Sequence, residues 1–169
     1  MQKCKPLLSI KRIILLILAL SIAFLGSCRK REASAYDMLS RFMSEYGVEA
    51  VIYTLSAPEG SLGAFSTDMF YTMYSADTSR VFDFALIMLS RSVSLSECAV
   101  FVCYSVFDAM EISEVCRRRL DLFSSATGID IGSYTEDAFV MRRKNIVVLC
   151  AMRDNKGASV IWSGILDFY

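Results

Sequence analysis

The most reactive side chains of this 169-residue chain are six cysteines: Cys4, Cys28, Cys98, Cys103, Cys116 and Cys150. A thiol can be acylated or oxidised, bind a soft metal or act as a nucleophile. The chain has no histidine, which excludes Cys–His and Ser–His–Asp catalysis and any zinc site that needs imidazole. No C-x-x-C spacing occurs, so four thiolates together are the remaining thiol-rich metal site. Cys98 and Cys103 stand five apart in one strand-like run, on opposite faces, and cannot bridge each other. A bridge from Cys98 or Cys103 to Cys150, or from either to Cys116, stays open beside the favoured reading of buried free thiols. Asp130, Glu136 and Asp137 share one loop. Glycoside cleavage needs two carboxylates across a cleft, which spacing alone does not establish, and the loop lacks the alternation of an EF-hand. Two basic triplets, Arg117, Arg118, Arg119 and Arg142, Arg143, Lys144, read as a solvated helix face and a hairpin turn. Their alternative is contact with an anionic polymer or lipid head. The rings of Phe65, Phe70, Tyr71, Tyr74, Phe82 and Phe84 read as core, with a ring-lined ligand groove as the alternative. No glycine-rich phosphate loop or nucleophile elbow is present. No catalytic, cofactor-binding or metal-ligating residue is assigned, and no cofactor is expected.

These side chains need elements to hold them. Hydrophobic residues make up 54% and charged residues 21% of the chain, a balance that argues against disorder. Ser34 as N-cap, Gly47 as stop, and Ala35, Met38, Leu39, Phe42, Met43 and Tyr46 on one face predict a helix. Residues 48–55 read as a strand, 57–63 as a loop and 67–75 as a short helix. Residues 81–89 fit helix or strand; strand is preferred, because 98–106 offers a hairpin partner across a turn at 92–97. Asp108 and Glu111 predict a capping box, with Phe107 and Ile112 as a hydrophobic staple. The helix should run to about Ala126 and bury Ile112, Val115, Cys116, Leu120 and Phe123. The triplet 117–119 should face mostly away, with Glu114 pairing to Arg118. A loop at 128–136 precedes strands at 138–141 and 146–152, joined by a turn at 142–145. Residues 154–157 read as a turn, and 158–169 as a closing helix in preference to a strand. The fold class is α+β: an antiparallel sheet of about four strands, covered on one face by one long helix and terminal helices.

The zero net charge, 18 basic against 18 acidic residues, hides an asymmetry. Residues 1–27 hold Lys3, Lys5, Lys11 and Arg12 and no acid, which leaves 14 basic against 18 acidic residues, net −4, for the rest. Residues 13–25 form an uncharged apolar run of 13 residues, shorter than a bilayer span. A basic start, a short apolar centre and small residues describe a secretory signal. Leu25-Gly26-Ser27-Cys28 resembles the lipobox of bacterial lipoproteins. That resemblance implies cleavage between Ser27 and Cys28 and a diacylglyceryl group on the Cys28 sulfur. Two acyl chains anchor firmly where one would not. An uncleaved membrane anchor and a buried core helix are the competing readings. Arg29, Lys30 and Arg31 oppose easy export, yet outside the membrane they can meet anionic lipid heads.

The lipobox, the helix opening at Asp108, Tyr134 and the paired strands near 138–141 and 145–149 together resemble a small, uncharacterised family of clostridial-type Gram-positive lipoproteins. The matching stretch runs over residues 84–153. The resemblance implies a signal peptide at 1–27, a tether at 28–34 and a single α+β domain at 35–169. The resulting expectation is a non-enzymatic accessory or interaction domain, held at the outer face of the cell membrane. Its partners would be membrane lipid through Cys28 and a membrane or envelope protein, with no nucleic acid. A small-ligand or wall-polymer binding lipoprotein is the alternative.

Overall fold

The computed structural model describes residues 33–91, 94–125 and 136–169. Helix α1 (Ala35–Tyr46) starts where Ser34 Oγ accepts from Asp37 N–H at 3.2 Å. It stops at Gly47, whose φ of +75° suits a residue without Cβ and whose N–H donates to Met43 O. The strand expected over 48–55 shrinks to β1 (Tyr53–Thr54). Val48 is taken up by the helix end, its N–H also donating to Met43 O, and Val48, Ala50 and Ile52 pack on the core instead of pairing. The loop at 57–63 folds back on β1: Thr54 N–H donates to Gly63 O, and Phe65 N–H to Thr54 O. This return covers a sheet edge that would otherwise lie open.

Helix α2 (Thr67–Tyr74) is capped by Ser66, and a 3-10 turn (Thr78–Arg80) leads into β2 (Val81–Arg91). β2 pairs antiparallel with β3 (Ser94–Cys103), from Val81 opposite Cys103 to Arg91 opposite Ser94. Residues 81–89 are therefore strand. The expected turn at 92–97 is corrected: Ser94 to Glu97 belong to β3, and residues 92 and 93 lie outside the described ones. β3 ends at Cys103, three residues before the expected 106, because Ser105 opens the next helix, α3 (Val106–Ser125). Ser105 O accepts from Ala109 N–H, and Ser105 Oγ accepts from Asp108 N–H at 3.1 Å and donates to the Asp108 carboxylate. Asp108 thus sits inside the first turn rather than capping it. Phe107 is 79% exposed, so the expected staple to Ile112 does not form.

β4 (Phe139–Arg143) and β5 (Ile146–Ala151) form the second hairpin. Arg142 and Arg143 are strand residues, and the turn narrows to Lys144 and Asn145. The expected turn at 154–157 is instead the first turn of α4 (Asn155–Leu166), where Asp154 Oδ1 accepts from Gly157 N–H at 2.9 Å. The sheet order is β1-β2-β3-β5-β4, with every neighbour antiparallel. The α+β class is as expected. The strand count rises to five, because β1 joins the sheet.

Both faces of the sheet are covered, not one. Ala85, Ile87, Cys98, Val100, Val148 and Cys150 point toward α1 and α4, where Phe42 stacks on Trp162 at 4.8 Å. Phe84, Leu86, Ala99, Phe101, Val147 and Leu149 point toward α2 and α3. This explains the sequence of the two inner strands. β3 from Cys98 onward and β5 throughout are continuous apolar runs, as strands buried on both sides must be, rather than the alternation of a half-solvated sheet.

Candidate functional site

Within that apolar sheet, β3 carries one carboxylate. Glu97 lies opposite Met88 on β2 and Ala151 on β5, and is 2% exposed. A buried carboxylate is costly unless paired and hydrogen-bonded. α3 supplies the partner: Arg119 Nη2 and Nε donate to Glu97 Oε2 at 2.7 and 2.9 Å, and Nε also reaches Oε1 at 3.0 Å. α2 supplies the third group, as Tyr74 Oη donates to Oε1 at 2.7 Å. The remaining guanidinium nitrogen, Nη1, donates to Met73 O at 2.8 Å. The guanidinium also lies over the rings of Tyr74 and Phe123, 5.2 and 4.8 Å from their centroids. Burial, followed by the Glu97 charge, pushes the Tyr74 phenol well above its ordinary value. For Arg119 burial works against the charge, but hydrogen bonding to Glu97 and its charge outweigh this and raise the guanidinium. The cluster ties α2, α3 and β3 together through fully used polar atoms.

Above it opens a cavity of about 340 Å³, lined by Met73, Tyr74, Val115, Arg118, Arg119 and Asp121, among others. Arg119 is committed to Glu97 below. Arg118 makes no ion pair among the described residues and is the cation available to the cavity.

The four domain thiols are free and buried. Cys98 and Cys150 lie directly opposite each other across β3 and β5 on the α1/α4 face, and Cys103 points to the other face. Burial pushes Cys116 well above the ordinary thiol range, and Cys98 likewise, with Cys150 adding to it. Cys103 is pushed up to about 12 by burial and then by Asp108. Thiols held protonated in this way are poor nucleophiles and metal ligands. Among the described residues no group of three or more Cys, Asp or Glu is placed to hold a metal.

The other candidates are dispersed. Cys28 and Ser27, the expected lipid and cleavage positions, lie outside the described residues, as do Asp130 and the loop up to residue 135. Asp137 pairs with Lys156 at 3.1 Å, while Glu136 O accepts from Asn155 Nδ2. Glu114 pairs with Arg117, not with Arg118 as the one-turn spacing suggested. Arg119 departs furthest from expectation. It was read as solvated with its two neighbours, yet its position turns it toward the sheet. In the second triplet Arg143 pairs with Asp167 at 2.5 Å, Lys144 Nζ donates to Tyr169 O, and Arg142 is exposed. Of the aromatic set, Phe65, Phe70, Tyr74 and Phe84 are core and pack with Phe101, whereas Tyr71 and Phe82 are exposed. Glu97 is the residue that sequence reading missed. Its signal was an isolated acid beside the apolar run of β3.

One end of the sheet gathers exposed rings. Ala35 N–H donates to Asp83 Oδ2 at 2.8 Å, which fixes the start of α1 beside the start of β2. Phe82 and Tyr104 make an edge contact there at 5.8 Å and 77°. Arg80 pairs with Asp108 and Glu111, which joins the first turn of α3, with Phe107, to the same end. Cys103 and Asn145 exchange hydrogen bonds, bringing in the β4–β5 turn. We call this the aromatic end.

No family model, curated protein or solved structure matches the chain. Among the described residues no helix is long and apolar enough to cross a membrane.

Proposed function

We propose that the chain is a lipid-anchored extracytoplasmic protein whose folded domain serves as a non-enzymatic accessory or interaction module at the cell membrane. The observation that carries this reading is the leader: four basic residues, a 13-residue apolar run and Leu25-Gly26-Ser27-Cys28 in that order. Two things support it. The compact unit runs from Ala33 to Tyr169, so Cys28 precedes it by five residues, a tether's length. The resemblance to clostridial-type Gram-positive lipoproteins points the same way. The non-enzymatic part is supported by Glu97, the carboxylate buried among the described residues, whose oxygens are consumed by Arg119 and Tyr74.

Cells fed a labelled fatty acid should label the wild-type chain and leave Cys28→Ala unlabelled. Equal labelling of both removes the reading, and a mature chain that still begins at Met1 replaces it with an uncleaved anchor. A second reading, a lipoprotein that binds a small anionic ligand or wall polymer, is favoured by the cavity beside Arg118. It requires that Arg118→Ala lower retention on an anionic polymer column.

A further inference from the structure

We infer that Cys98 and Cys150 are a disulfide-forming pair, closed by thiol–disulfide exchange as the chain folds, so that β3 and β5 become joined covalently in the middle of the sheet. Register carries this. The two cysteines lie directly opposite each other, and the pairing runs without a shift from Glu97 opposite Ala151 to Val102 opposite Ile146. At the next position Cys103 N–H donates to Asn145 O at 2.8 Å, which makes 103 and 145 a hydrogen-bonded pair. Hydrogen-bonded and non-hydrogen-bonded pairs alternate along an antiparallel ladder. Five steps back, Cys98 and Cys150 therefore form a non-hydrogen-bonded pair, the kind whose Cα atoms stand about 4.5 Å apart with side chains close together. That separation falls within the range of about 4.4–6.8 Å that a disulfide spans.

Burial and neighbours narrow the choice to this pair. Both cysteines are fully buried on the α1/α4 face, whereas Cys103 and Cys116 lie across the sheet on the other face. Burial is the first cause of the rise in the Cys98 thiol and a hydrogen bond with Cys150 the second, so the two sulfurs meet with no side chain between them. Trp162 Nε1, buried without a hydrogen-bond partner among the described residues, works against that rise, which places the lone tryptophan beside the pair. The thiols are free in the structure, which describes the reduced form.

Oxidation removes two electrons and two protons from the pair. One cysteine thiolate attacks a sulfur of a low-molecular-weight disulfide and expels one thiolate from it. The second cysteine, once deprotonated, attacks the mixed disulfide, forms the Cys98–Cys150 bond and expels the other; the oxidant leaves as two thiols. In the folded domain both side chains are sealed from solvent, so exchange must precede closure of the core. The bond needs no lipid anchor, only a disulfide-bearing oxidant at the time of folding, which the oxidising surroundings outside a cell membrane provide.

The test uses the full chain, unfolded and reduced in urea, then diluted into mild detergent with glutathione and glutathione disulfide. Remaining thiols are alkylated, and the chain is cut with trypsin and chymotrypsin, which separates Cys98 from Cys103 at Phe101. The fragment holding Cys98 should be linked to that holding Cys150 as the main bridged product, with Cys103 and Cys116 alkylated. A chain refolded first and given glutathione disulfide afterwards should acquire the bond at least about a hundredfold more slowly, because exchange then waits on opening of the core. Trp162 emission should be dimmer in the oxidised domain, since a disulfide quenches a neighbouring indole, and Cys150→Ala should show no such change. The urea midpoint should rise by roughly 1–2 M, as Cys150 follows Cys98 by 52 residues and the bond closes a long loop.

Cys98 and Cys150 both recovered alkylated after oxidative refolding overturn the inference, and so does a bridge from either to Cys103 or Cys116. A Cys98–Cys150 bond that leaves the midpoint level or lowers it also overturns it, because the register would then not bring the sulfurs together without distortion. Equal rates of oxidation before and after folding overturn closure during folding. The fragment map is read on the wild type, so a Cys150→Ala chain that fails to fold leaves the test standing.

Discussion

Replacing Arg119 by Met removes the cation from beneath the α2–α3 surface and leaves Glu97 inside the sheet. In the wild type the carboxylate receives three guanidinium contacts of 2.7 to 3.0 Å and one from the Tyr74 hydroxyl; in Arg119→Met the hydroxyl alone remains. The pair is well shielded from water, with side chains 17% and 3% exposed, so solvent screening rescues little of the loss. Breaking a buried pair from one side costs roughly 3–5 kcal/mol, a large part of the 5–15 kcal/mol that holds a typical domain together. Met preserves the aliphatic packing against Tyr74 and Phe123, which confines the change to charge and hydrogen bonding. Urea unfolding followed by Trp162 emission reads the loss globally, since that lone tryptophan sits on the opposite face of the sheet. Adding Glu97→Gln should recover at least about 1 kcal/mol, because the stranded charge is gone. A cost below about 1 kcal/mol for Arg119→Met, together with simple additivity in the double variant, would place the pair with ordinary surface ion pairs and refute the reasoning.

The folded domain should lose stability in alkali. Burial raises Cys98, Cys103 and Cys116, whereas an unfolded chain ionises its thiols near 8.5–9. Because the folded values are the higher ones, the stabilisation is complete below the unfolded value and drains away as pH rises toward the folded ones. Three such thiols remove roughly 4 kcal/mol between pH 8 and 10, with Tyr74 adding to the loss above 10; a urea midpoint that stays level over that range counts against the burial of these groups. Gly63 and Gly164 should respond in opposite senses to alanine. At Gly63 φ is +88° and a Cβ would fall 2.5 Å from Ile52 O, so a cost of roughly 1–3 kcal/mol is expected, while Gly164 in α4 has open space and should gain about 0.5–1 kcal/mol. Equal thermal shifts for the two variants would contradict both geometries. Ser105→Ala should cost about 1 kcal/mol through the lost cap of α3, whereas Phe107→Ala should stay within about 0.5 kcal/mol; the reverse ranking would restore the staple that the fold lacks.

Local chemistry made α1 readable from end to end, since Ser34, the apolar spacing and Gly47 act within a few residues of one another. The same kind of signal misplaced the start of α3. Asp108-x-x-Glu111 satisfies a capping pattern, but Ser105 three residues earlier captures the Asp108 N–H first, and both acids are then drawn to Arg80 from outside the helix. What spacing cannot supply is the identity of distant partners. Nothing near Glu97 in the chain announces a guanidinium 22 residues away, and the last member of a basic triplet reads as solvated until a sheet is laid beneath it. Residues 48–52 failed for a related reason. Val48, Ala50 and Ile52 pack against the α1 side of the core, and pairing with β2 begins only at Tyr53. Residues 1–28 are the reverse case: the expectation they carry rests on order and composition alone.

The two ends of α3 bring these features into one picture. Its first turn belongs to the aromatic end, with Phe107 exposed and Asp108 and Glu111 held by Arg80. Arg118, beside the cavity, comes 12 residues after Val106, about 18 Å along the helix axis. The rigidity of this arrangement depends on Arg119, which fastens the far part of α3 to β3 through Glu97 and to α2 through Met73 O. Arg119→Met should therefore loosen the α2–α3 contact around the cavity before it disturbs the aromatic end. Hydrogen exchange distinguishes the two: acceleration in the second half of α3 that exceeds the acceleration of the β2–β3 pairing near Val81 and Cys103 is the expected pattern. Equal acceleration at both ends would mean that the ion pair holds the whole domain rather than this one junction.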